Sequence, residues 1–234
     1  MADLEIIGGA PSNYVWAVRI ACTEKRVPYK HTQVMPHTPD VDAIHPLGKI
    51  PVMRHGDVTL AESRAICVYL ERMFDGPPLV PPDPVKAAKV EQWVSLVNTS
   101  VDPLWVRQYL AAYIFPGTPD KSPDRARIDA ALPKMEKQFA VMNEAVKDGY
   151  LVGNSFTLAD INFMPILFYM SRFPESKELL AKNRKLRAYL EKHVARKSVQ
   201  ETMPENIKAA LQAEQAAKSQ ATQDKGNEPS AVNA

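Results

Sequence analysis

The stretch of residues 45–72, HPLGKIPVMRHGDVTLAESRAICVYLER, constrains the fold more than any other part of this chain. Pro51 has no N–H to donate to a neighbouring strand, so it is predicted to begin a strand rather than to lie inside one. Two short apolar runs flank Gly56 and Asp57, a pair typical of a tight hairpin turn. Beyond Glu62 and Ser63, apolar residues recur at helical spacing, at Ile66, Tyr69, Leu70 and Met73. The order predicted is therefore strand, turn, strand and then a helix with one face towards a core.

The chain divides into four stretches by pattern. Residues 1–78 alternate strand and helix signals, which predicts an α/β domain. A proline-rich stretch follows and breaks regular structure, so residues 79–85 are interpreted as a linker. Residues 86–212 show only helical periods and predict an all-helical domain. Residues 213–234 are polar and almost without large apolar side chains, which predicts a disordered tail.

Two details are predicted within the helical stretch. Apolar residues recur in steps of four and three from Ile128 to Val146, which indicates a buried helical seam. Pro133 lies inside that seam and is expected to bend or break the helix. Thr157 followed three residues later by Asp160 is typical of a capping box, in which each side chain satisfies a backbone N–H at a helix start.

Composition excludes several classes of function. Lys and Arg number 29 and Asp and Glu number 27, so the net charge is 29 − 27 = +2, which supports neither nucleic acid nor a membrane surface as a partner. Cys22 and Cys67 have no framework of spacings, so reduced thiols in a cytoplasmic protein are expected. The start of the chain lacks the pattern of a secretory signal, and no apolar stretch is long enough to span a bilayer. No clustered Cys and His or HExxH pattern suggests a metal, so no metal is expected.

Three motifs resemble those of cytosolic glutathione S-transferases. They are HPLGKIPV, AESRAI, and YLVGNSFTLADINF, which is similar to the family's Y-L-x-G-x-x-F-T-x-A-D helix start. Trp93 and the stretch VDPL at 101–104 resemble the first helix of the second domain in the phi-like branch of plants and bacteria, which includes Ser-type members. The resemblance implies an α/β + all-α fold, with an N-terminal thioredoxin-like domain followed by a C-terminal helical bundle. It also implies glutathione as co-substrate, a small hydrophobic electrophile as second substrate, and a homodimer.

The reaction that the resemblance implies is attack by the glutathione thiolate. A free thiol titrates near pH 8.5, and lowering its pKa by roughly two units takes about 2.7 kcal/mol. A hydroxyl donating to the anion contributes roughly 1.5–3 kcal/mol, and a helix N-terminus roughly 0.3–1 kcal/mol more. Ser12, before the first helix, matches the position of the catalytic serine in Ser-type members. The alternatives are that Ser12 is only a helix cap, or that Asn13 contacts the thiolate, with Tyr14 a weaker choice.

Other glutathione contacts follow from the resemblance. Ile50 and Pro51 resemble the family's cis-proline, where the backbone before the proline pairs with the cysteinyl unit. Glu62 and Ser63 are expected to hold the γ-glutamyl end, although an acidic first helical turn with a capping Ser would look the same. Lys49 and either His37 or Thr38 are expected near the glycyl carboxylate. For His37, a solvated loop histidine is the alternative. His45 stands where many relatives carry Asn.

The second substrate is expected against the start of the helical domain. Trp105, Tyr109 and Tyr113 recur every four residues on one helix face and are interpreted as pocket residues, with a place in the core as the alternative. Pro11 is expected at the edge of that pocket. Arg64 resembles the family's dimer-facing arginine. Asp102 bears a slight resemblance to residues that reach glutathione from the other subunit.

Three functions fit these residues. The leading hypothesis is conjugation of glutathione to small hydrophobic electrophiles, as in detoxification. The same site also suits glutathione-dependent reduction of peroxides, which the sequence does not separate from conjugation. A non-catalytic carrier or interaction protein with the same fold is the third, although it would not need the whole set of site residues.

Overall fold

The computed structural model describes residues 3–226 of the 234-residue chain. These residues form two compact units with a boundary between Thr202 and Met203. The first unit contains one β-sheet and ten α-helices, α1 to α10, and the second contains one helix, α11, at Glu205–Gly226. All the candidate site residues lie in the first unit.

The sheet has four short strands, β1 Leu4–Ile7, β2 Lys30–Thr32, β3 Val52–His55 and β4 Val58–Ala61. Their spatial order is β2-β1-β3-β4, with β1 and β2 parallel and the other pairs antiparallel. The hairpin between β3 and β4 turns at Gly56 and Asp57, as the sequence predicts, and Gly56 adopts the left-handed φ of 59° that such a turn requires. Proline 51 directly precedes β3, which is also as predicted.

Three helices accompany the sheet: α1 Asn13–Glu24, α2 Pro39–Asp42 and α3 Ser63–Met73. Helix α1 is buried along most of its length, and its Trp16 is fully buried. One core cluster joins the sheet to α2 through Ile7, Val41 and Val52. Burying such β-branched side chains stabilises the fold by roughly 1.5–3 kcal/mol each. This cluster holds the ends of the strands, and therefore the loops that leave them, in fixed positions.

The rest of the first unit is helical. Its helices are α4 Pro84–Leu96, α5 Ala111–Ile114, α6 Arg125–Ala145, α7 Leu158–Met170, α8 Pro174–Lys182, α9 Arg184–Val194 and α10 Lys197–Thr202. Between α4 and α5 the chain forms two π-helical segments, Val97–Val101 and Pro103–Leu110, separated by Asp102. Within the described residues this half contains no strand, only an isolated bridge between Lys147 and Tyr150.

Helix α7 is the central helix of this half. Twelve of its thirteen residues are buried, as expected for a helix that is apolar on every side. The predicted capping box is present, because the Asp160 carboxylate accepts from the backbone N–H of Thr157 at 2.9 Å and Thr157 is the N-cap. Helix α7 packs against α1, with Phe168 edge-on to Trp16 at 5.3 Å between ring centroids. The position of α1 therefore depends on the helical half.

The structure differs from the sequence predictions at two places. Helix α6 continues through Pro133 without a break, because the residues around the proline bury one face of the helix in the core. Helix α11 extends to Gly226, although the composition of residues 213–226 predicts disorder. Ala, Gln and Lys favour helices, which accounts for that difference, and the remainder of the predicted tail, 227–234, lies outside the described residues.

Candidate active site

The candidate site residues lie at one edge of the sheet. Ile7 at the end of β1 pairs with Val52 at the start of β3, and Val52 pairs with Ala61 at the end of β4. Because these three residues are in register, the loop after Ile7, the Ile50-Pro51 segment and Glu62 all leave the sheet at the same edge. Strand β2 also ends there, since Thr32 pairs with Ile7. Residues far apart in sequence are thus brought to one edge.

Ser12 begins helix α1 at this edge. It is the N-cap residue, with φ −65° and ψ 127°, and its Oγ accepts a long hydrogen bond of 3.4 Å from the backbone N–H of Val15. The serine is half-buried, and its hydroxyl hydrogen has no acceptor among the described residues. A hydroxyl offers one donor and two acceptor positions. Ser12 therefore caps the helix with a lone pair and keeps its single O–H available to a ligand.

The side chain of Asn13 is bound by a residue of the helical half. Its Nδ2 donates to Asp102 Oδ1 at 3.1 Å, and both residues are buried. Asp102 Oδ2 in turn accepts from Arg107 Nε at 2.9 Å, so this buried carboxylate is paired. The guanidinium of Arg107 also lies 5.6 Å from the centroid of the Tyr14 ring. With its amide engaged in this way, Asn13 is less suited than Ser12 to contact a thiolate, and Asp102 contacts its own chain at this point.

Tyr14 is poorly suited to ionise, and its side chain is engaged by Asp102 and Arg107. Burial, and then the nearby Asp102 carboxylate, raise its pKa well above the ordinary value of a tyrosine. Its ring is held under Arg107. The lower weight that the sequence gives to Tyr14 agrees with this environment.

The peptide bond between Ile50 and Pro51 is cis, as the resemblance implies. Ile50 lies against the loop that leads to Ser12: a Cβ built on Gly8 would be 2.9 Å from the Cβ of Ile50. Gly8 itself has a φ of +148°, so a side chain there is excluded by both space and backbone conformation. The loop before Ser12 and the cis-proline segment are therefore neighbours.

Glu62 and Ser63 form the start of helix α3. Glu62 is the N-cap with φ 70° and ψ 119°, a left-handed conformation that is uncommon for a residue other than glycine. Its side chain is 72% exposed and makes no capping hydrogen bond within the described residues. The first N–H groups of α3 are therefore not occupied by a cap, and such groups favour a carboxylate. His45 Nε2 lies 3.3 Å from Glu62 Oε1.

The loop expected near the glycyl carboxylate is held together by its backbone. The N–H of His37 donates to the carbonyl of Gly48 at 2.9 Å, which places His37 beside the residue that precedes Lys49. The His37 ring is 74% exposed and lies 3.8 Å from Asp42. Thr38 Oγ1 is buried and has no partner among residues 3–226. Lys49 is exposed. The structure thus gathers these residues in one loop but gives no contact between them and Ser12.

The predicted second-substrate residues divide into two groups. Trp105 and Tyr109 are fully buried, and Trp105 stacks on Phe139 at 4.2 Å between centroids, so both belong to the core. These two residues therefore follow the alternative of a place in the core, and not the predicted role of lining an open pocket. Tyr113 is only half-buried, and its hydroxyl donates to Glu175 at 2.5 Å. Pro11 is exposed, and its carbonyl accepts from Tyr169 at 2.6 Å.

Arg64 contacts its own chain. Its Nε donates to Glu91 Oε2 at 2.8 Å, and Nη2 is paired with the other oxygen of the same carboxylate. Its Nη1 is buried and has no partner within the described part of the chain. The expected contact with a second subunit is therefore still a prediction.

Sequence reasoning missed two residues that hold the site. Tyr169 of α7 reaches the carbonyl of Pro11, next to Ser12, and Glu175 accepts from both Tyr109 and Tyr113. Burial raises the pKa of Glu175, but hydrogen bonds from Tyr113, Arg125 and Tyr109 outweigh that effect and lower this pKa to about 2. The only signal for Glu175 in the sequence is an acidic residue in the first turn of a helix, which also occurs where no such contact exists.

Among residues 3–226, no three or more His, Cys, Asp or Glu side chains are grouped in a way that could hold a metal ion. In the same part of the chain, no helix is both long and apolar enough to cross a membrane.

The fold joins a four-stranded α/β domain to an all-helical domain, and a cis-proline lies at the sheet edge that carries the candidate site residues. This combination defines a class of two-domain, thioredoxin-like proteins. Residues 8–78 match the family model described as the N-terminal domain of glutathione S-transferase, and residues 106–197 match the model of its C-terminal domain. The chain belongs to the glutathione S-transferase family, and the predicted fold class is confirmed.

Individual relatives agree with this family. Glutathione S-transferase 1 of Dianthus caryophyllus is 30% identical over 184 residues, which are 72% of this chain and 81% of the relative. Glutathione S-transferase 3 of Zea mays is 30% identical over 215 residues, 87% of this chain and 94% of the relative. A crystal structure of the theta class glutathione S-transferase from Xanthomonas axonopodis pv. citri, with glutathione bound, superposes with a TM-score of 0.73 at 26% identity. That superposition covers 87% of this chain and 98% of the other.

Proposed function

We propose that this glutathione transferase is of the Ser type and conjugates glutathione to small hydrophobic electrophiles, with Ser12 stabilising the thiolate. The observation that carries the assignment of Ser12 is its free O–H at the start of α1, at the sheet edge from which the cis-proline segment and Glu62 also leave. The membership in the family supports glutathione as the co-substrate. The relatives from plants support the assignment to the phi-like branch.

The proposed chemistry is a nucleophilic displacement. The glutathione thiol loses its proton to solvent, the thiolate accepts a hydrogen bond from Ser12 Oγ–H, and the sulfur forms a bond to the electrophilic carbon while the leaving group departs with its electron pair. A charge-assisted hydrogen bond of roughly 1.5–3 kcal/mol corresponds to about one to two units of thiol pKa. The N-terminus of α1 adds roughly 0.3–1 kcal/mol in the same direction. Ser12 acts as a donor throughout and never as a base.

The proposed binding mode uses three groups of residues. The γ-glutamyl carboxylate binds the first N–H groups of α3 and Ser63, and its ammonium group binds Glu62. The backbone of Ile50 pairs with the cysteinyl unit, and Lys49 with His37 or Thr38 faces the glycyl carboxylate. The uncapped start of α3 supports the first assignment. Asn13 would contribute through its backbone, because its side chain is bound to Asp102.

The electrophile is proposed to bind near Pro11 and Tyr113, the exposed or half-exposed members of the predicted pocket set. We retain the domain division of the sequence, with a thioredoxin-like domain at 1–78, a linker at 79–85 and a helical domain from 86. Among residues 3–226, strands lie only within the first 61 residues, which supports this division, and helix α4 begins at Pro84, two residues before the helical domain that the sequence predicts. A homodimer with Arg64 near its interface is proposed from the family alone.

The test compares wild type with two variants of Ser12 in conjugation of 1-chloro-2,4-dinitrobenzene and in reduction of cumene hydroperoxide. Ser12→Ala removes the hydroxyl and is expected to lower conjugation about 10- to 100-fold at neutral pH. Ser12→Thr retains a hydroxyl that can cap and donate, so it is the matched control and is expected to lose much less. Peroxide reduction that exceeds conjugation would favour the peroxidase alternative. If wild type binds glutathione-agarose but turns over neither substrate, the protein is a carrier and the proposal is wrong.

A further inference from the structure

The carboxylate of Glu62 is held by a buried histidine. His45 is 4% exposed, whereas the Glu62 side chain is 72% exposed, and the two are joined by the contact of 3.3 Å between Nε2 and Oε1. The contact therefore fixes one end of an otherwise solvent-exposed side chain from inside the protein. Glu62 Oε2 has no partner in the described part of the chain, so this oxygen is available to a ligand.

The other ring nitrogen decides the tautomer of His45. Its Nδ1 lies 3.0 Å from the backbone nitrogen of Leu47. A backbone N–H can only donate, so Nδ1 must present its lone pair, and the proton of the neutral ring must be on Nε2. The Nε2–H group then donates to Glu62. A single neutral tautomer satisfies both contacts, and the loop at Leu47 selects it.

The backbone of Glu62 is fixed independently of His45. Residue 61 is paired in the sheet with Val52, and the carbonyl of Glu62 accepts the first hydrogen bond of α3 from Ile66 at 3.0 Å. Between these constraints Glu62 has a left-handed φ of 70°. Only the side-chain rotamers are left free by the backbone. Among the described residues, the contact with His45 is the one that restricts the rotamers of Glu62.

We infer that His45 is a positioning residue, which orients the Glu62 carboxylate to receive the ammonium group of the γ-glutamyl unit. The inference rests on the proposed function, in which Glu62 binds that ammonium. Ordering a long side chain before the ligand arrives removes part of the entropic cost of binding. His45 should therefore act on glutathione affinity and on recognition of the amine, and not on the chemical step.

The chain offers a matched pair of substitutions that separates the two contacts of His45. In His45→Asn, the amide oxygen takes the place of Nδ1, keeps the bond to the Leu47 N–H and loses the reach to Glu62. In His45→Gln, the longer amide can reach Glu62 but leaves the Leu47 N–H without its acceptor. Loss of a hydrogen bond of ordinary strength corresponds to about a three- to tenfold change in affinity.

The measurement is the calorimetric affinity for two ligands, glutathione and glutathione acetylated on its α-amine. The acetylated ligand lacks the positive charge, so the ratio of the two affinities gives the preference for the ammonium group. Wild type is expected to prefer glutathione, and His45→Asn is expected to reduce that preference about three- to tenfold, with KM for glutathione raised and kcat at saturating glutathione unchanged. His45→Gln is expected to retain the preference. In a Glu62→Gln background, His45→Asn should have no further effect on it.

The outcomes separate the inference from the proposed function. If His45→Asn weakens both ligands equally, the histidine acts only through the loop and the inference is wrong, while the proposed function stands. The inference also fails if His45→Asn and Glu62→Gln act additively on the preference. If wild type binds neither ligand, or if Glu62→Gln leaves the preference unchanged, then the proposed glutathione site or the role of Glu62 in it is wrong.

Discussion

Asp160 allows a stability prediction whose magnitude follows from its contacts. Its carboxylate is fully buried and accepts four hydrogen bonds: from Leu151 N at 2.9 Å, Thr157 N at 2.9 Å, Thr157 Oγ1 at 3.0 Å and Tyr189 Oη at 3.1 Å. Burial raises the pKa of this carboxyl above its ordinary value, but the four donors compensate part of that cost. The residue therefore holds the start of α7 to the preceding turn and to α9.

The substitution Asp160→Ala leaves these donors without an acceptor. The two hydroxyls can rotate to other partners, but the two backbone N–H groups cannot. An unsatisfied buried donor costs about 1–3 kcal/mol, so the free energy of unfolding should fall by about 2–6 kcal/mol. For a chain of this size that corresponds to a decrease of roughly 4–24 °C in the unfolding midpoint. In Asp160→Asn the amide oxygen still accepts from one of the two backbone N–H groups, and the amide nitrogen faces only the other. The decrease in the free energy of unfolding should therefore be about half as large.

The assay is urea unfolding followed by circular dichroism, with the slope m compared between variants to check that the same surface is exposed. Asp129→Ala is the control, because Asp129 is 61% exposed and forms only a surface pair with Arg125. It should change stability by less than about 0.5 kcal/mol. A loss below about 1 kcal/mol for Asp160→Ala, or an Asn variant less stable than the Ala variant, would refute the reasoning.

Two further predictions concern a histidine and a tyrosine. Burial lowers the pKa of His193 to about 4. Between about pH 6.5 and pH 4, therefore, the unfolded chain binds a proton at this histidine that the folded chain does not. The free energy of unfolding should fall as the pH is lowered through this range, by up to about 3 kcal/mol. Urea unfolding at several pH values should show that slope in wild type and a flatter one in His193→Gln; an equal slope in both would contradict the assignment. Tyr169→Phe removes the bond to the carbonyl of Pro11 and should lower stability by about 0.5–1.5 kcal/mol. It should also speed amide hydrogen exchange around Ser12, and unchanged exchange there would show that Tyr169 does not hold this loop.

Local patterns predicted those parts of the molecule that depend on neighbouring residues. The hairpin at Gly56 and Asp57 and the capping box of Thr157 and Asp160 both follow from turn and cap chemistry within a few residues. The position of Ser12 between a strand and a helix predicts a helix cap, which Ser12 is, whereas its role towards a thiolate comes from the resemblance to Ser-type members.

Contacts between distant residues could not be predicted from the sequence alone. The bond between Asn13 and Asp102 joins residues 89 positions apart, and the bond between Tyr169 and Pro11 joins residues 158 positions apart. Trp105 shows the same limit: a four-residue period identifies a helix face, but whether that face lines a pocket or the core depends on Phe139 from another helix. The left-handed Glu62 has no sequence signal either, since it results from the geometry of the junction between β4 and α3.

The most direct test of the central claim is the pKa of the thiol of bound glutathione, measured from the ultraviolet absorbance of the thiolate as pH is varied. Wild type should bring it below the free value near 8.5 by about one to two units. Ser12→Ala should return it towards that free value, while Ser12→Thr keeps it low. Equal thiol pKa values in wild type and Ser12→Ala, with glutathione bound to both, would contradict the role of Ser12.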